Sequence, residues 1–114
     1  MTALPNLTKL AIYGVLRHMS ARQIIRDRRV FEDGCLIEIV IWQLSEPVPP
    51  TDHSFKYRLF YGRKGERIVS YDNERGKGDH RHYGGIEEPY TFSTIKQLLD
   101  DFERDVVKLR KGAI

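Results

Sequence analysis

The most restrictive feature of this sequence is the run Cys35–Leu44, C-L-I-E-I-V-I-W-Q-L, which is the most β-branched and apolar segment of the chain. Such residues favour the pleated surface of a β-sheet, and a run with so few polar positions is typical of a strand with both faces largely covered. We therefore predict a central strand. Glu38 interrupts the run, and because a charge within a strand usually has a cross-strand partner, we expect it to pair with an arginine of the neighbouring strand.

Two turn signals arrange further strands around this one. Glu32-Asp33-Gly34 carries the Asp-Gly signal of a hairpin, which makes residues 21–31 an antiparallel partner of the central strand. Downstream, the turn Gly62–Gly65 separates the aromatic segment 55–61 from a return strand over residues 67–72. The sequence thus predicts two successive β-hairpins.

The segment between the hairpins, Ser45–Asp52, contains three prolines. Proline lacks a backbone N–H donor and holds the chain extended, so we expect a stiff loop here and not a domain linker. His53 follows this loop, and we expect it to lie at the surface, away from the functional residues.

The C-terminal segment has a helical pattern. Its apolar side chains recur at the i, i+3, i+4, i+7 spacing that places them on one face of an α-helix. They are Ile95, Leu98, Leu99, Phe102, Val106 and Leu109. Ser93 or Thr94 is suited to cap this helix, with Gln97 completing a capping box, and we expect the apolar stripe to cover one face of the sheet. A weaker helical pattern between Leu4 and Met19 predicts a short N-terminal helix.

The chain of 114 residues suits one hydrophobic core. We assign residues 1–114 to a single domain, with residues 1–20 as an N-terminal helical extension and residues 21–114 as the core. The predicted fold class is α+β: an antiparallel sheet of about four to five strands, a C-terminal amphipathic helix packed on one face, and a short N-terminal helix.

Composition indicates a cytoplasmic protein without a membrane partner. The single cysteine, Cys35, cannot form an internal disulfide and sits in an apolar run, as expected of a core residue in a reducing compartment. The N-terminal apolar segment is interrupted by Lys9 and Arg17 and is too short for a membrane span. The net charge of +3 is compatible with a nucleic-acid partner without requiring one.

The stretch Tyr71–Gly85, Y-D-N-E-R-G-K-G-D-H-R-H-Y-G-G, concentrates acids, bases and two histidines between glycines. We interpret it as a loop that begins at the end of the return strand. If Asp79–His82 is extended, His80 and His82 project to one side, while the aspartate and the arginine project to the other.

A pair of histidines on one face fits three roles that the residues leave open. Metal binding needs about three or four ligands, so Asp72, Glu74 or Asp79 would have to complete the shell. Metal-free RNA cleavage needs a base and an acid, for which His80 and His82 are available, and a cation, for which Arg81, Arg75 or Lys77 is available. In the third role the histidines pair with nearby carboxylates at the surface.

The predicted site follows from the second role. The candidate catalytic residues are Asp72, His80, Arg81 and His82. The residues expected to bind a ligand or to hold the loop are Tyr71, Asn73, Glu74, Arg75, Lys77 and Arg58. No metal ligand is assigned and no cofactor is expected, with a divalent metal as the alternative.

Several segments together carry a family resemblance. They are I-E-I-V-I-W-Q-L at 37–44, the proline-rich loop, K-Y-R-L-F-Y-G at 56–62, Y-D-N-E-R-G-K-G-D-H-R-H at 71–82 and E-E-P-Y-x-F at 87–92. In these segments the chain resembles the TumE family of bacterial and archaeal toxin–antitoxin proteins, from about Arg28 to Arg110. The extension through about Met19 departs from the usual pattern, because family members commonly lack it. The resemblance implies a small toxin encoded beside a helix-turn-helix, DNA-binding antitoxin.

Two functions are carried forward. The first is a toxin that acts on RNA through the loop containing Asp72, His80 and His82. The alternative is a non-catalytic binding protein that docks a helix-turn-helix antitoxin or nucleic acid. Whether the protein is an enzyme is left open, with ribonuclease as the favoured activity. The expected partners are the antitoxin and RNA, and homodimerisation is left open.

Overall fold

The computed structural model describes residues 20–112, which form a six-stranded antiparallel sheet and one α-helix. The strands lie side by side in the order of the sequence. The elements are β1 (Ala21–Val30), β2 (Leu36–Leu44), β3 (Phe55–Arg63), β4 (Glu66–Glu74), β5 (Gly78–Tyr83), β6 (Ile86–Pro89) and α1 (Ile95–Gly112). The predicted α+β class and the C-terminal helix are confirmed. The predicted number of four to five strands is wrong, and the predicted N-terminal helix lies outside the described residues.

The run that dominates the sequence becomes β2, paired with β1 on one side and β3 on the other. Glu38 forms the predicted cross-strand ion pair, since its carboxylate lies 3.4 Å from Arg28 Nε and 3.8 Å from Arg58 Nη1. Only Gln43 of β2 is exposed, and its other residues are partly or fully buried, although within residues 20–112 a helix covers one face alone.

The predicted loop Tyr71–Gly85 is a β-hairpin, which corrects the sequence interpretation and adds strands to the sheet. Strand β4 runs on to Glu74, and β5 starts at Gly78. Gly76 and Gly78 have φ angles of +86° and +77°, which a residue with a Cβ rarely adopts, and they allow the tight turn between the strands. Ladder hydrogen bonds to the edge of an existing sheet outweigh the low β-propensity of glycine and aspartate.

Helix α1 covers one face of the sheet. Thr94 caps it, because its Oγ1 accepts a hydrogen bond from the Gln97 backbone N–H at 3.0 Å. The Gln97 side chain donates instead to Asp101 Oδ1 at 2.7 Å, so the predicted capping box is not completed. The buried core between sheet and helix consists of Cys35, Ile41, Tyr57, Leu59, Tyr61, Val69, Tyr71, Leu98, Phe102 and Val106.

The sheet therefore has two faces of different character. Side chains of the first face, such as Leu59 and Tyr71, contact α1, and we call it the helix face. The alternating residues point the other way and include several charged groups. We call this side the polar face, and its central residues are Arg28, Glu38, Lys56, Arg58, Phe60, Asp72, His80 and Glu87. Within residues 20–112 no further helix or strand packs on the polar face.

Candidate functional site

The β4–β5 hairpin divides the predicted catalytic residues between the two faces. Its register pairs Asp72 with His80 and Tyr71 with Arg81. Directly opposed residues of an antiparallel pair have their side chains on the same face. Asp72 and His80 therefore meet on the polar face, whereas Arg81 lies on the helix face, on the other side of the sheet from both histidines.

The centre of the polar face is a histidine between two carboxylates. His80 Nε2 lies 2.7 Å from Asp72 Oδ1 and 3.1 Å from Glu87 Oε2. Only 11% of the His80 side chain and 15% of the Asp72 side chain is exposed, while Glu87 remains half exposed and lies 3.4 Å from Lys77 Nζ. Glu87 was not among the predicted site residues, because β6 was not predicted and nothing else brings it next to His80.

The position of one proton on His80 follows from its other nitrogen. His80 Nδ1 lies 3.1 Å from the Gly78 carbonyl oxygen. Since a carbonyl only accepts hydrogen bonds, Nδ1 must carry the hydrogen. Nε2 then faces two carboxylate oxygens, which are also acceptors when ionised. The interaction between Nε2 and these two carboxylates is favourable only when a second proton on the ring or another cation lies between them.

Burial perturbs the charged groups around this centre. Asp72 Oδ1 is fully buried, and apart from its contact with His80 Nε2 it has no hydrogen-bond partner in the described part of the chain. Burial raises the pKa of Asp72, and the neighbouring His80 acts in the opposite direction. Burial lowers the pKa of Lys56, whose ammonium donates to the Asn73 carbonyl, while Asp72, Glu74 and Asp79 act in the opposite direction. Charges interact more strongly in such a partly desolvated region than in water.

Glu74 adds a third potential ligand at the end of β4. One ligand atom from each of Asp72, Glu74 and His80 lies within 4.8 Å of the others. Two carboxylates and an imidazole form a donor set that suits a divalent cation. Arg75 and Lys77 are exposed in the turn that follows.

Arg58 and His82 flank the centre on the polar face. Arg58 is paired with Asp72 in the register, is 56% exposed, and lies 5.1 Å above the Phe60 ring. His82 is opposite Ser70, and its Nδ1 is buried without a hydrogen-bond partner among the described residues. It lies on the same face as His80, as predicted for an extended segment.

Arg81 belongs to a network that joins the helix face to α1. Its Nε lies 2.8 Å from Asp105 Oδ2 and 3.0 Å from the Tyr71 hydroxyl, and its Nη1 lies 2.6 Å from Glu88 Oε2. Asp105 is buried, and its carboxylate raises the pKa of Arg81. A cleft of about 420 Å³ opens beside this network, lined by Tyr71, Arg81, Tyr90, Asp101, Arg104, Asp105 and Lys108.

Asn73 holds the ends of two strands together. Its side chain accepts from the Tyr57 N–H at 2.9 Å and donates to the Phe55 carbonyl at 2.7 Å. Asn73 and Tyr71 are both almost fully buried on the helix face. Their positions suit the support of the hairpin, the second of the two roles considered for them.

A second polar cluster involves a residue that was expected elsewhere. His53 Nε2 lies 2.6 Å from Asp79 Oδ2, and its ring stacks on Phe92 at 3.9 Å. Asp79 also accepts hydrogen bonds from the hydroxyls of Tyr57 and Thr51. The prediction that His53 is a surface residue is wrong, because this network pulls it against the sheet and fixes the end of the proline-rich loop.

Comparison with known protein families decides the affiliation of this chain. A family model described as Toxin TumE matches residues 10–110. The chain belongs to the TumE toxin family. The resemblance found in the sequence is thereby confirmed, and this TumE-family protein is the toxin of a toxin–antitoxin pair, with an antitoxin as its partner. The matched range includes residues 10–20, which had been assigned to the extension.

Other comparisons add no relatives for this TumE-family toxin. No curated protein and no solved structure matches the chain. Within residues 20–112, α1 lacks the apolar length that a membrane crossing requires.

Proposed function

We propose that this toxin acts on RNA by cleaving its backbone at the centre of the polar face, where Asp72, His80 and Glu87 meet. The observation that carries the proposal is the position of His80 Nε2 against two carboxylate oxygens in a mostly buried setting. Exposed ion pairs contribute little to stability, whereas desolvated titratable groups beside specific charged partners are characteristic of functional sites.

The surroundings of this centre support RNA as the substrate class. Arg28 and Arg58 extend from the polar face into solvent, and Lys56 lies beside Asp72. Phe60 and Trp42 are partly buried aromatic residues on the same face. Unpaired RNA binds to surfaces of this kind because aromatic rings stack on bases while cations contact phosphates.

The groups at the centre match what cleavage requires. The attacking oxygen forms a new P–O bond and loses a proton, a P–O bond of the backbone breaks, and the leaving oxygen gains a proton, while negative charge develops on the phosphate. Asp72, with its raised pKa, is suited to accept the first proton, and His80 Nε2, 2.7 Å from Asp72 Oδ1, orients this carboxylate. Solvent water supplies the proton that the leaving oxygen gains. Lys56 and Arg58 are suited to stabilise phosphate charge. Arg81 has no direct role in this proposal, because it contacts α1 on the opposite face.

The test compares two histidines of the same strand and face. Purified toxin is incubated with a labelled single-stranded RNA, and the cleavage rate is measured for the wild type, His80→Ala and His82→Ala. We expect His80→Ala to lose about 100-fold or more in rate, because groups that stabilise the transition state or transfer protons contribute at least this much. His82→Ala should lose less activity than His80→Ala, since His82 lies opposite Ser70 and Glu87 and not beside Asp72.

Absence of RNA cleavage by the folded wild-type protein would contradict the proposal. It would favour the alternative, a non-catalytic protein whose polar face docks its partner. The row of opposite charges formed by Arg28, Glu38 and Arg58 gives that alternative a physical basis, because such patterns steer association.

We also infer that the antitoxin is a helix-turn-helix DNA-binding protein, in line with the resemblance of segments 71–82 and 87–92 to the TumE pattern. Co-purification of the toxin with the product of the adjacent gene tests this inference. A stable complex with a helix-turn-helix protein supports it, and an adjacent partner of another class refutes it.

A further inference from the structure

We propose that Asp72, Glu74 and His80 bind one divalent cation, of the Mn²⁺ type, on the polar face. These residues come from the facing ends of β4 and β5, and one ligand atom of each lies within 4.8 Å of the others. The proposal deepens the proposed function, and the role of the ion in RNA cleavage rests on that function. The binding of the ion itself does not depend on that function, and it is tested without RNA.

The separations between the ligand atoms suit a common ion. Ligands about 2.1 Å from a small divalent ion lie about 3 Å apart when they are neighbours in an octahedral shell, and about 4 Å apart when they are opposite. His80 Nε2 lies 2.7 Å from Asp72 Oδ1. This separation corresponds to neighbouring ligands, and the 4.8 Å limit for the group of three accommodates Glu74 as a neighbouring or an opposite ligand after small side-chain adjustments.

The orientation of His80 is the one that a metal ligand requires. Its Nδ1–H donates to the Gly78 carbonyl oxygen at 3.1 Å, so in the neutral imidazole the lone pair that can bind a metal is on Nε2. Histidine ligands typically donate their other ring N–H to a carbonyl or a carboxylate, because this bond fixes both the tautomer and the ring direction. Here the bond aims Nε2 directly at the carboxylates.

Asp72 Oδ1 supplies a second observation. This oxygen is fully buried, and His80 Nε2, which lies 2.7 Å away, donates no hydrogen bond to it when that nitrogen carries no proton. A buried carboxylate oxygen without a donor is costly, and an unseen ion is one of its established explanations. A cation bound by Asp72 and His80 would satisfy this oxygen and the Nε2 lone pair together.

The donor set indicates the class of ion. Carboxylate oxygens suit Mg²⁺, Ca²⁺ and Mn²⁺, and imidazole nitrogen suits the transition metals, so the mixed set points to Mn²⁺. Three protein ligands leave positions for water or for a phosphate oxygen of RNA, where the ion would polarise the phosphate.

The test is a titration of the full chain, freed of metal with a chelator, with MnCl₂ in a calorimeter and without RNA. We expect one Mn²⁺ per chain. Asp72→Asn and Glu74→Gln should each weaken Mn²⁺ binding by at least about tenfold. The loss of a residue that only supports a metal ligand already has an effect of about this size, and these two residues are proposed as ligands themselves. Glu74 is exposed, so Glu74→Gln should fold normally, which circular dichroism can verify. Glu103→Gln, an exposed glutamate on α1, is the matched control and should bind Mn²⁺ like the wild type.

Absence of stoichiometric Mn²⁺ binding by the wild type would overturn the proposal, and so would unchanged affinity of folded Glu74→Gln. The two proposals fail in different ways. Mn²⁺ binding without RNA cleavage would refute only the proposed function. RNA cleavage that persists in excess chelator, by a protein that does not bind Mn²⁺, would refute only the metal site.

Discussion

Arg81 and His80 are neighbours in the chain but act on opposite faces of the sheet. His80 contacts Asp72 on the polar face, whereas Arg81 contacts Asp105 of α1. The Tyr71 hydroxyl donates to the same Asp105 carboxylate, which is buried. Asp105 therefore links the hairpin to the helix, and this link should matter for stability.

Replacement of Asp105 by Ala should destabilise the protein by about 2–4 kcal/mol, because it leaves the Arg81 guanidinium and the Tyr71 hydroxyl without their buried acceptor. Urea unfolding followed by circular dichroism measures this change. The control is Asp100→Ala, which removes only an exposed i,i+4 pair with Lys96 and should change stability by no more than about 0.5 kcal/mol. Equal effects of the two substitutions would show that the Asp105 network is not important for stability.

Individual residues also show the limits of sequence prediction. In a strand, the period of two predicts that Asp72 lies on one face of β4, and Tyr71 and Asn73 on the other. The structure has this arrangement, because the pattern is local. The burial of His53 could not be predicted, since its partner Asp79 lies 26 residues away and reaches it only after β3, β4 and β5 have paired.

At the level of elements, predictions were right where the turn chemistry or the hydrophobic period was strong. The Asp-Gly turn before β2, the glycine turn after β3 and the apolar stripe of α1 all formed as predicted. Strands β5 and β6 were missed, because their charged and glycine-rich sequences have little strand propensity of their own. β5 becomes a strand by pairing with β4, and β6 by pairing with β5, and these tertiary contacts are invisible in a local pattern.

The β3–β4 hairpin depends on a glycine at an irregularity of its register. A Cβ on Gly62 would lie 2.1 Å from the Glu66 carbonyl oxygen, so the backbone would have to move. We expect Gly62→Ala to lower the free energy of unfolding by about 2 kcal/mol or more, because steric strain in packed regions has effects of this size. The measurement is again urea unfolding.

Gly65, in the same turn, provides the matched control. It has a φ of +78°, and nothing lies within 4 Å of a Cβ placed there. Gly65→Ala should therefore cost only about 1 kcal/mol, the strain of the left-handed conformation. A Gly62→Ala protein as stable as Gly65→Ala would contradict the predicted clash.

For the molecule as a whole, the two faces separate stability from function. The helix face carries the core, the Asp105 network and the Asp79 network, while the polar face carries His80 and the exposed arginines. The sequence could predict a sheet covered by a helix. It could not predict that Glu87 joins Asp72 and His80, because that requires the registers of two neighbouring strand pairs.

Electrostatic binding of RNA should depend on the polar face alone. Arg58→Ala should weaken RNA binding and reduce the slope of log K against log salt concentration by about 1, because one phosphate contact is lost. Arg104→Ala, on α1, should leave both quantities unchanged, since Arg104 pairs with Asp101 on the other side of the molecule. Fluorescence anisotropy at several KCl concentrations measures both. Equal losses in the two variants would argue against a face-specific RNA site.

The most direct test of the central claim is the single-turnover rate of RNA cleavage by Asp72→Asn, compared with Asp52→Asn in the exposed proline-rich loop. Cleavage at the polar face predicts that Asp72→Asn loses about 100-fold or more in rate, as expected for a group at the reacting phosphate. Asp52→Asn should cleave like the wild type. A folded Asp72→Asn protein that cleaves RNA at the wild-type rate would contradict the account.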